Sequence, residues 1–332
     1  MFEFIKKWTA RLVKFLLGLI IIIYLVLLVS FQVSKSATLQ SLKSETDIIS
    51  TEKGDIEVYR RGDLSQPVVL VTHGSPGGYD QAMLMMTPLF QDSFTYLIPS
   101  RPGYLQTPLA TGRTPAEQAD AYAAMLDALD IDQVAVIGAS GGGPSALEFA
   151  RRHPERTTSL VLYAAVSQAI PGASVPPASS LERVTDAIFG KGFLQWAFVQ
   201  PLKMAPEKMT IFENIYVDSW PRIIVDEQKT ELFTRLVESS LFHFPNDVRL
   251  GGYANDMTQY ANLDLGSFAD LTIPTLMVHG TADTDVPFAT SEALSQEIAG
   301  AQTYWVEGGD HFMIISRSDE VVPVINNFLE QQ

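Results

Sequence analysis

The pentapeptide Gly138-Ala139-Ser140-Gly141-Gly142 joins an apolar run, Val134 to Ile137, to a helix-like run, Pro144 to Arg152. A strand that turns this sharply into a helix pushes the side chain at its apex outward. Flanking glycines relieve the crowding, and the helix N-terminus behind the turn favours developing negative charge. Ser140 is therefore a candidate nucleophile. The phosphate-loop alternative fails because no Gly-Lys-Ser/Thr ending follows the glycines. A serine hydroxyl is nearly inert until a base removes its proton, and the chain contains five histidines. His153 ends the helix that follows Ser140, His243 lies in a central segment without strand pattern, His279 ends an apolar run before Gly280, and His73 belongs to a glycine-rich motif. His311 remains as the candidate base, in the loop Gly308-Gly309-Asp310-His311-Phe312.

An imidazole in this role needs a carboxylate to hold its tautomer and stabilise the imidazolium. Gly280-Thr281-Ala282-Asp283-Thr284-Asp285 follows the run Thr275 to His279 and offers two candidates, of which Asp283 is the better placed. Asp310 adjoins His311, but sequence neighbours usually point apart, so a surface role is expected for it. Acyl transfer through such a set also requires donors aimed at a tetrahedral oxyanion. His73-Gly74-Ser75-Pro76-Gly77-Gly78 follows the run Val68 to Thr72. Pro76 has no N–H to give, which leaves the Ser75 amide, paired with the Gly141 amide after the nucleophile.

These groups meet only if the elements between them bring them together. Ile56 to Arg60 alternates as a strand should, while Val68–Thr72, Thr95–Ile98, Val134–Gly138, Leu160–Ala164, Thr275–His279 and Thr303–Val306 are nearly continuous apolar runs. Strands covered on both faces read this way, and helical stretches between them imply a parallel α/β sheet. The clearest helix spans Thr114 to Leu129, with Thr114 as N-cap, Pro115 at the first turn and Glu117 completing a capping box. From Ser167 to about Leu265 the strand rhythm stops. Helical segments separated by proline-rich stretches suggest a cap over residues 168–265, with Leu232, Phe233, Leu236 and Val237 forming an apolar face and Phe193, Trp196, Phe198, Trp220 and Phe242 adding bulk.

The chain has 332 residues, 46% apolar and 18% charged, no cysteine, and a net charge of -15. Disulfides, thiolate metal sites and cysteine nucleophiles are excluded, and the acidic field disfavours nucleic acid as a partner. Phe15 to Ser34 carries no charge; twenty residues at about 1.5 Å each match a bilayer's hydrocarbon thickness. The run is long for a signal peptide, and Ser34-Lys35-Ser36-Ala37 is a poor cleavage site. Lys6, Lys7, Arg11 and Lys14 precede it against Lys35 and Lys43 after it, which predicts a cytoplasmic N-terminus and an extracytoplasmic body. The expected organisation is a basic stub and transmembrane anchor (1–34), a polar linker (35–45), a first core part (46–167), the cap (168–265) and a second core part (266–332).

Together the elbow at Ser140, the order Ser140, Asp283, His311, the His73-Gly74 motif and the Arg101-Pro102-Gly103-Tyr104 turn resemble the α/β-hydrolase superfamily from Thr46 to the C-terminus. The resemblance implies an eight-stranded, mostly parallel sheet, a cap after the sixth strand, a serine-hydrolase mechanism on an ester or related acyl bond, and no cofactor or metal. Serine at the elbow departs from the epoxide hydrolases and haloalkane dehalogenases, which place aspartate there. The run from His73 to Gly78 is similar to proline iminopeptidases, although Ser75 and Gly141 differ from their pattern; in that alternative Glu207 and Glu213 would hold the substrate amine. A membrane-tethered binding protein on the same fold is the other alternative. The expected partner is a small acyl substrate, lipid-like if the anchor has a purpose beyond tethering.

Overall fold

The computed structural model describes residues 1–209, 211–240 and 244–332, so Phe242 and His243 lie outside the described residues. Among the described residues, eight strands form one sheet: β1 (Asp47–Thr51), β2 (Gly54–Arg61), β3 (Val68–Thr72), β4 (Thr95–Pro99), β5 (Val134–Ala139), β6 (Thr157–Tyr163), β7 (Thr275–Gly280) and β8 (Gln302–Val306). Their spatial order is β1-β2-β4-β3-β5-β6-β7-β8. β2 pairs antiparallel with β1 and β4, and every other pairing is parallel. The apolar runs are continuous because successive residues enter different cores. Val69, Val71, Tyr96, Ile98, Ile137 and Val161 face one layer, while Val68, Leu70, Leu97, Val136, Leu160 and Leu162 face the other. β1 was not foreseen: it is short and mostly solvent-facing, and it exists because Thr51 and Gly54 close a tight turn onto β2.

Helices cover both faces. α2 (Tyr79–Met86) follows β3, α3 (Pro115–Ala128) follows β4, and α4 (Gly143–Arg152) follows β5. The expected capping box opens α3, with Thr114 Oγ1 accepting from the Glu117 amide at 3.2 Å and Glu117 Oε2 accepting from the Thr114 amide at 2.9 Å. Between β6 and β7 come α5 (Ser180–Phe189), α6 (Phe193–Met204), α7 (Ile211–Ile215), α8 (Ser219–Ile223), α9 (Glu227–Ser239) and α10 (Leu250–Ala261). Phe233, Leu236 and Val237 of α9 are buried, as are Phe193, Trp196 and Trp220, whereas Phe198 is half exposed. α11 (Phe288–Glu297), α12 (Met313–Ser316) and α13 (Ser318–Glu330) complete the chain.

α1 runs unbroken from Phe2 to Ser44, so residues 35–44 are helix and not the linker expected from their polarity. Neither Gly nor Pro interrupts Ser34 to Ser44, and this stretch packs on the body. Leu42 contacts the main core, and its carbonyl accepts from the Tyr79 hydroxyl at 2.8 Å. Further back, Phe31 is fully buried against Phe193, Trp196 and Phe244. Tertiary contacts of this kind outweigh weak local propensity. α1 is long enough to cross a membrane, and its most apolar stretch is not buried in the body.

Candidate active site

β5 delivers Ser140 at a strained position. Its φ is 49°, a left-handed conformation that a side-chain-bearing residue adopts only when its surroundings impose it. The surroundings here are close backbones. A Cβ on Gly142 would stand 2.2 Å from the Thr72 carbonyl oxygen, and one on Gly138 would stand 2.6 Å from the Ala146 side chain. Only glycine lets β3 and α4 approach the turn this closely. The Val166 amide donates to the Ser140 carbonyl at 2.9 Å and pins the apex from the end of β6.

Ser140, His311 and Asp283 are brought together. His311 Nε2 lies 3.0 Å from Ser140 Oγ, and His311 Nδ1 lies 2.7 Å from Asp283 Oδ2. The Asp283 carboxylate is further fixed by the Asp285 and Val286 amides, at 2.8 and 3.0 Å, and by His279 at 3.3 Å. The histidine loop is held from below: the Tyr163 hydroxyl donates to the His311 carbonyl at 2.8 Å and accepts from the Ile314 amide at 3.1 Å. Burial alone would lower the His311 pKa. The Asp283 charge and hydrogen bond, helped by Asp285 and Asp310, overcome this and raise it from 6.5 to about 9. For Asp283, burial acts to raise the pKa, but the His311 charge and the hydrogen bonds from His279, His311 and the Val286 amide hold it below the usual carboxylate range.

Asp285 does not reach a ring nitrogen of His311 by hydrogen bond among the described contacts. Its carboxylate faces the cavity, 3.5 Å from the Tyr216 hydroxyl; partial desolvation by the cavity walls, with the Asp283 and Asp310 charges, outweighs the His311 charge and raises its pKa. Asp310 corrects the expectation of a surface role. It is buried, accepts from the Ser219 amide at 2.9 Å and the Phe312 amide at 3.1 Å, and also bonds the Ser219 hydroxyl. It thus ties the histidine loop to α8. His73 is structural: its Nδ1 contacts the Gly74 carbonyl at 2.7 Å and its Nε2 accepts from the Arg101 amide at 2.8 Å. Burial, reinforced by the Arg101 charge, keeps its pKa well below 6.5. His153 pairs with Asp120 at 3.0 Å, away from the site.

The backbones of Ser75 and Gly141 adjoin each other, since a Cβ on Gly141 would lie 3.0 Å from the Ser75 nitrogen. What holds Ser75 there was not foreseen. Asp256, on α10, accepts from Ser75 Oγ at 2.6 Å, from the Tyr104 hydroxyl at 2.5 Å, and from both terminal nitrogens of Arg101 at 2.8 and 2.5 Å. Arg101 in turn donates to the His73 carbonyl at 2.9 Å. About two turns earlier, at the N-cap of α10, Arg249 makes a second buried fork to Asp80, at 2.9 and 2.7 Å, and donates to the Gly77 carbonyl at 2.7 Å. The loop carrying Ser75 is therefore clamped by α10 through two buried ion pairs. Removing one partner of such a pair strands the other charge, which costs about 3–5 kcal/mol. Asp256→Ala should lower the unfolding free energy in urea by about that amount, and Asp256→Ala combined with Arg101→Met should recover part of it. A loss under about 1 kcal/mol would mean that water reaches Arg101 and the clamp is not buried in solution.

A cavity of about 240 Å³ opens above the three side chains. Its walls are mostly apolar: Met85, Val166, Ile170, Leu236, Met257 and Phe312, with the Tyr260 hydroxyl bonded to the Gly141 carbonyl at 2.7 Å. Glu207 and Glu213 do not line it, and both are exposed. Asp285 is the only carboxylate facing it among the described residues.

Three similarities bear on this arrangement. An alpha/beta hydrolase fold protein from Nakamurella multipartita superposes with a TM-score of 0.71 at 30% identity, covering 86% of this chain and 98% of that one. The poly(3-hydroxyalkanoate) depolymerase of Ectopseudomonas oleovorans is 31% identical over 216 residues, 63% of this chain and 65% of that protein. A structure described as a membrane phospholipase A, a bacterial virulence factor, superposes with a TM-score of 0.58 at 20% identity, over 96% of this chain and 98% of that one. The family described as alpha/beta hydrolase fold matches residues 67–318. Sheet order, elbow and family match agree, and the chain belongs to the alpha/beta hydrolase family and is an enzyme of hydrolytic type.

Proposed function

We propose that the chain is a membrane-anchored serine hydrolase that cleaves a carboxylic ester through an acyl-enzyme. The observation that carries this reading is the unbroken relay from Ser140 Oγ to His311 Nε2, 3.0 Å, and from His311 Nδ1 to Asp283, 2.7 Å. Ser140 Oγ attacks the ester carbonyl while its proton passes to His311 Nε2. The Ser75 and Gly141 amides take the oxyanion. Collapse of the tetrahedral species breaks the bond to the alkoxy leaving group, which receives the proton from His311, and a water then repeats the sequence to release the acid. Asp283 stays ionised throughout and stabilises the imidazolium.

The apolar cavity walls favour an acyl chain or an apolar alcohol over a polar substrate. The name of the poly(3-hydroxyalkanoate) depolymerase, 31% identical over 216 residues, agrees with an ester substrate. The exposed apolar stretch of α1 that begins at Phe15 and the basic residues before it support insertion with the N-terminus cytoplasmic and the catalytic body outside. A panel of p-nitrophenyl esters of increasing acyl length, an aminoacyl amide and a thioester tests the reading on the full chain in detergent. Ester turnover should exceed amide turnover by at least about a hundredfold, a difference of about 2.7 kcal/mol in barrier. Faster hydrolysis of the amide than of every ester would replace the proposal with a peptidase.

A further inference from the structure

α5 carries a feature that catalysis does not use. Leu181, Val184 and Ile188 are 57%, 55% and 50% exposed, and their spacing of three and four places them along one helical face. Glu182, Arg183 and Asp186 belong to the same short helix and make it strongly amphipathic. We propose that this face of α5 is seated in the lipid bilayer beside α1, so that the cap is held to the membrane by a second, interfacial element. The inference rests on the anchor reading of α1 given above.

The contacts between α5 and α1 fix the level at which α5 sits. The Tyr24 hydroxyl donates to the Ile188 carbonyl at 3.2 Å, and the rings of Tyr24 and Phe189 are 5.3 Å apart. Gln32 Nε2 donates to the Phe189 carbonyl at 3.2 Å, and Phe31 meets Phe193 at 5.5 Å. The end of α5 therefore abuts α1 between Tyr24 and Gln32, inside the uncharged stretch from Phe15 to Ser34. Tyr24 lies ten residues before Ser34, or about 15 Å along the helix axis. Sliding the membrane away from α5 would draw Lys14 and then Arg11 into the hydrocarbon, which the bilayer resists. Lipid that surrounds α1 at Tyr24 thus also meets the end of α5.

The backbone is arranged for such a place. A helix leaves its last carbonyls without intrahelical donors, and in a water-poor layer these must find partners within the protein. The carbonyls of Ile188 and Phe189 accept from Tyr24 and Gln32 of α1, and that of Lys191, just beyond the helix, accepts from Lys35. Burial in lipid also gives an occupant to an exposed apolar stripe whose Ile188 end adjoins α1.

The chain has no cysteine, so single-cysteine variants can carry an environment-sensitive NBD fluorophore without background. We would label Val184→Cys, Leu25→Cys on the exposed face of α1 and Glu292→Cys on α11 in the full-length chain. Each would be reconstituted in phosphatidylcholine–phosphatidylglycerol vesicles containing 5-doxyl phosphatidylcholine. Quenching at residue 184 should reach at least half of that at residue 25, with none at residue 292. Quenching at residue 25 without quenching at residue 184 would overturn the proposal while leaving the anchor in place. A blue-shifted, unquenched signal at residue 184 that fades as protein is diluted into excess lipid would assign the face to a second copy of the chain and equally overturn it. Absence of quenching at residue 25 would remove the anchor reading, and the proposal with it.

Discussion

Replacing Ser140 by Ala is expected to lower kcat for ester hydrolysis by about 10⁴- to 10⁶-fold, the range seen when a triad nucleophile is removed. The same change should abolish covalent labelling of the chain by a fluorophosphonate. Both effects follow from one atom. Oγ supplies the electrons that form the acyl bond, and its 3.0 Å separation from His311 Nε2 lets the proton leave as the bond forms. Alanine keeps the backbone demand unchanged, because either residue must adopt the φ of 49° that the turn imposes. Unfolding in urea should therefore move little, which separates lost chemistry from lost structure. Undiminished labelling of the alanine variant would show that another side chain is the nucleophile.

The second large effect is expected at Asp283. Asp283→Asn should lower kcat by about 10⁴-fold, as a wrongly held imidazole does. A carboxylate accepts from His311 Nδ1–H and leaves Nε2 free to take the serine proton. An amide can turn its own N–H toward Nδ1, which forces the proton onto Nε2, opposite the Ser140 hydroxyl it should receive from. The pH profile gives an independent sign. A general base must be neutral to act, so a His311 pKa raised to about 9 puts the acid limb of kcat/KM above 6.5. Because Asp283 is the main source of that rise, the residual activity of the asparagine variant should show the limb moved to lower pH. Asp285→Asn is the matching control. Its carboxylate faces the cavity and lies against Tyr216, so a loss below about tenfold is expected, under about 1.4 kcal/mol. An effect at position 285 as large as that at 283 would reverse the two assignments.

The residues proposed to react were legible in the sequence because each sits where a strand ends. Ser140 follows β5, Asp283 follows β7, His311 follows β8 and Ser75 follows β3. Continuous apolar runs, bounded by glycine, mark such ends well. The residues that position them were not legible. Asp256 meets Arg101, Tyr104 and Ser75 only because α10 returns across the loop after β3, and nothing in its own helix marks it for that contact. Asp310 was misjudged for a related reason. Adjacency to His311 says where its side chain does not point, but only the position of Ser219 on α8 says what it binds. Likewise the polar composition of residues 35–44 conceals Leu42, which docks on the body and extends α1.

That continuity governs how freely the catalytic body can move. A flexible tether would let an enzyme sample every heading and a range of heights above its support. Here the last turns of a single rod are gripped at Leu42, Phe31 and Lys35, the last in an ion pair with Asp247 at 3.0 Å. Whatever immobilises the rod's front half therefore dictates the bearing of the cavity mouth, and the approach of substrate is set by geometry instead of by tumbling.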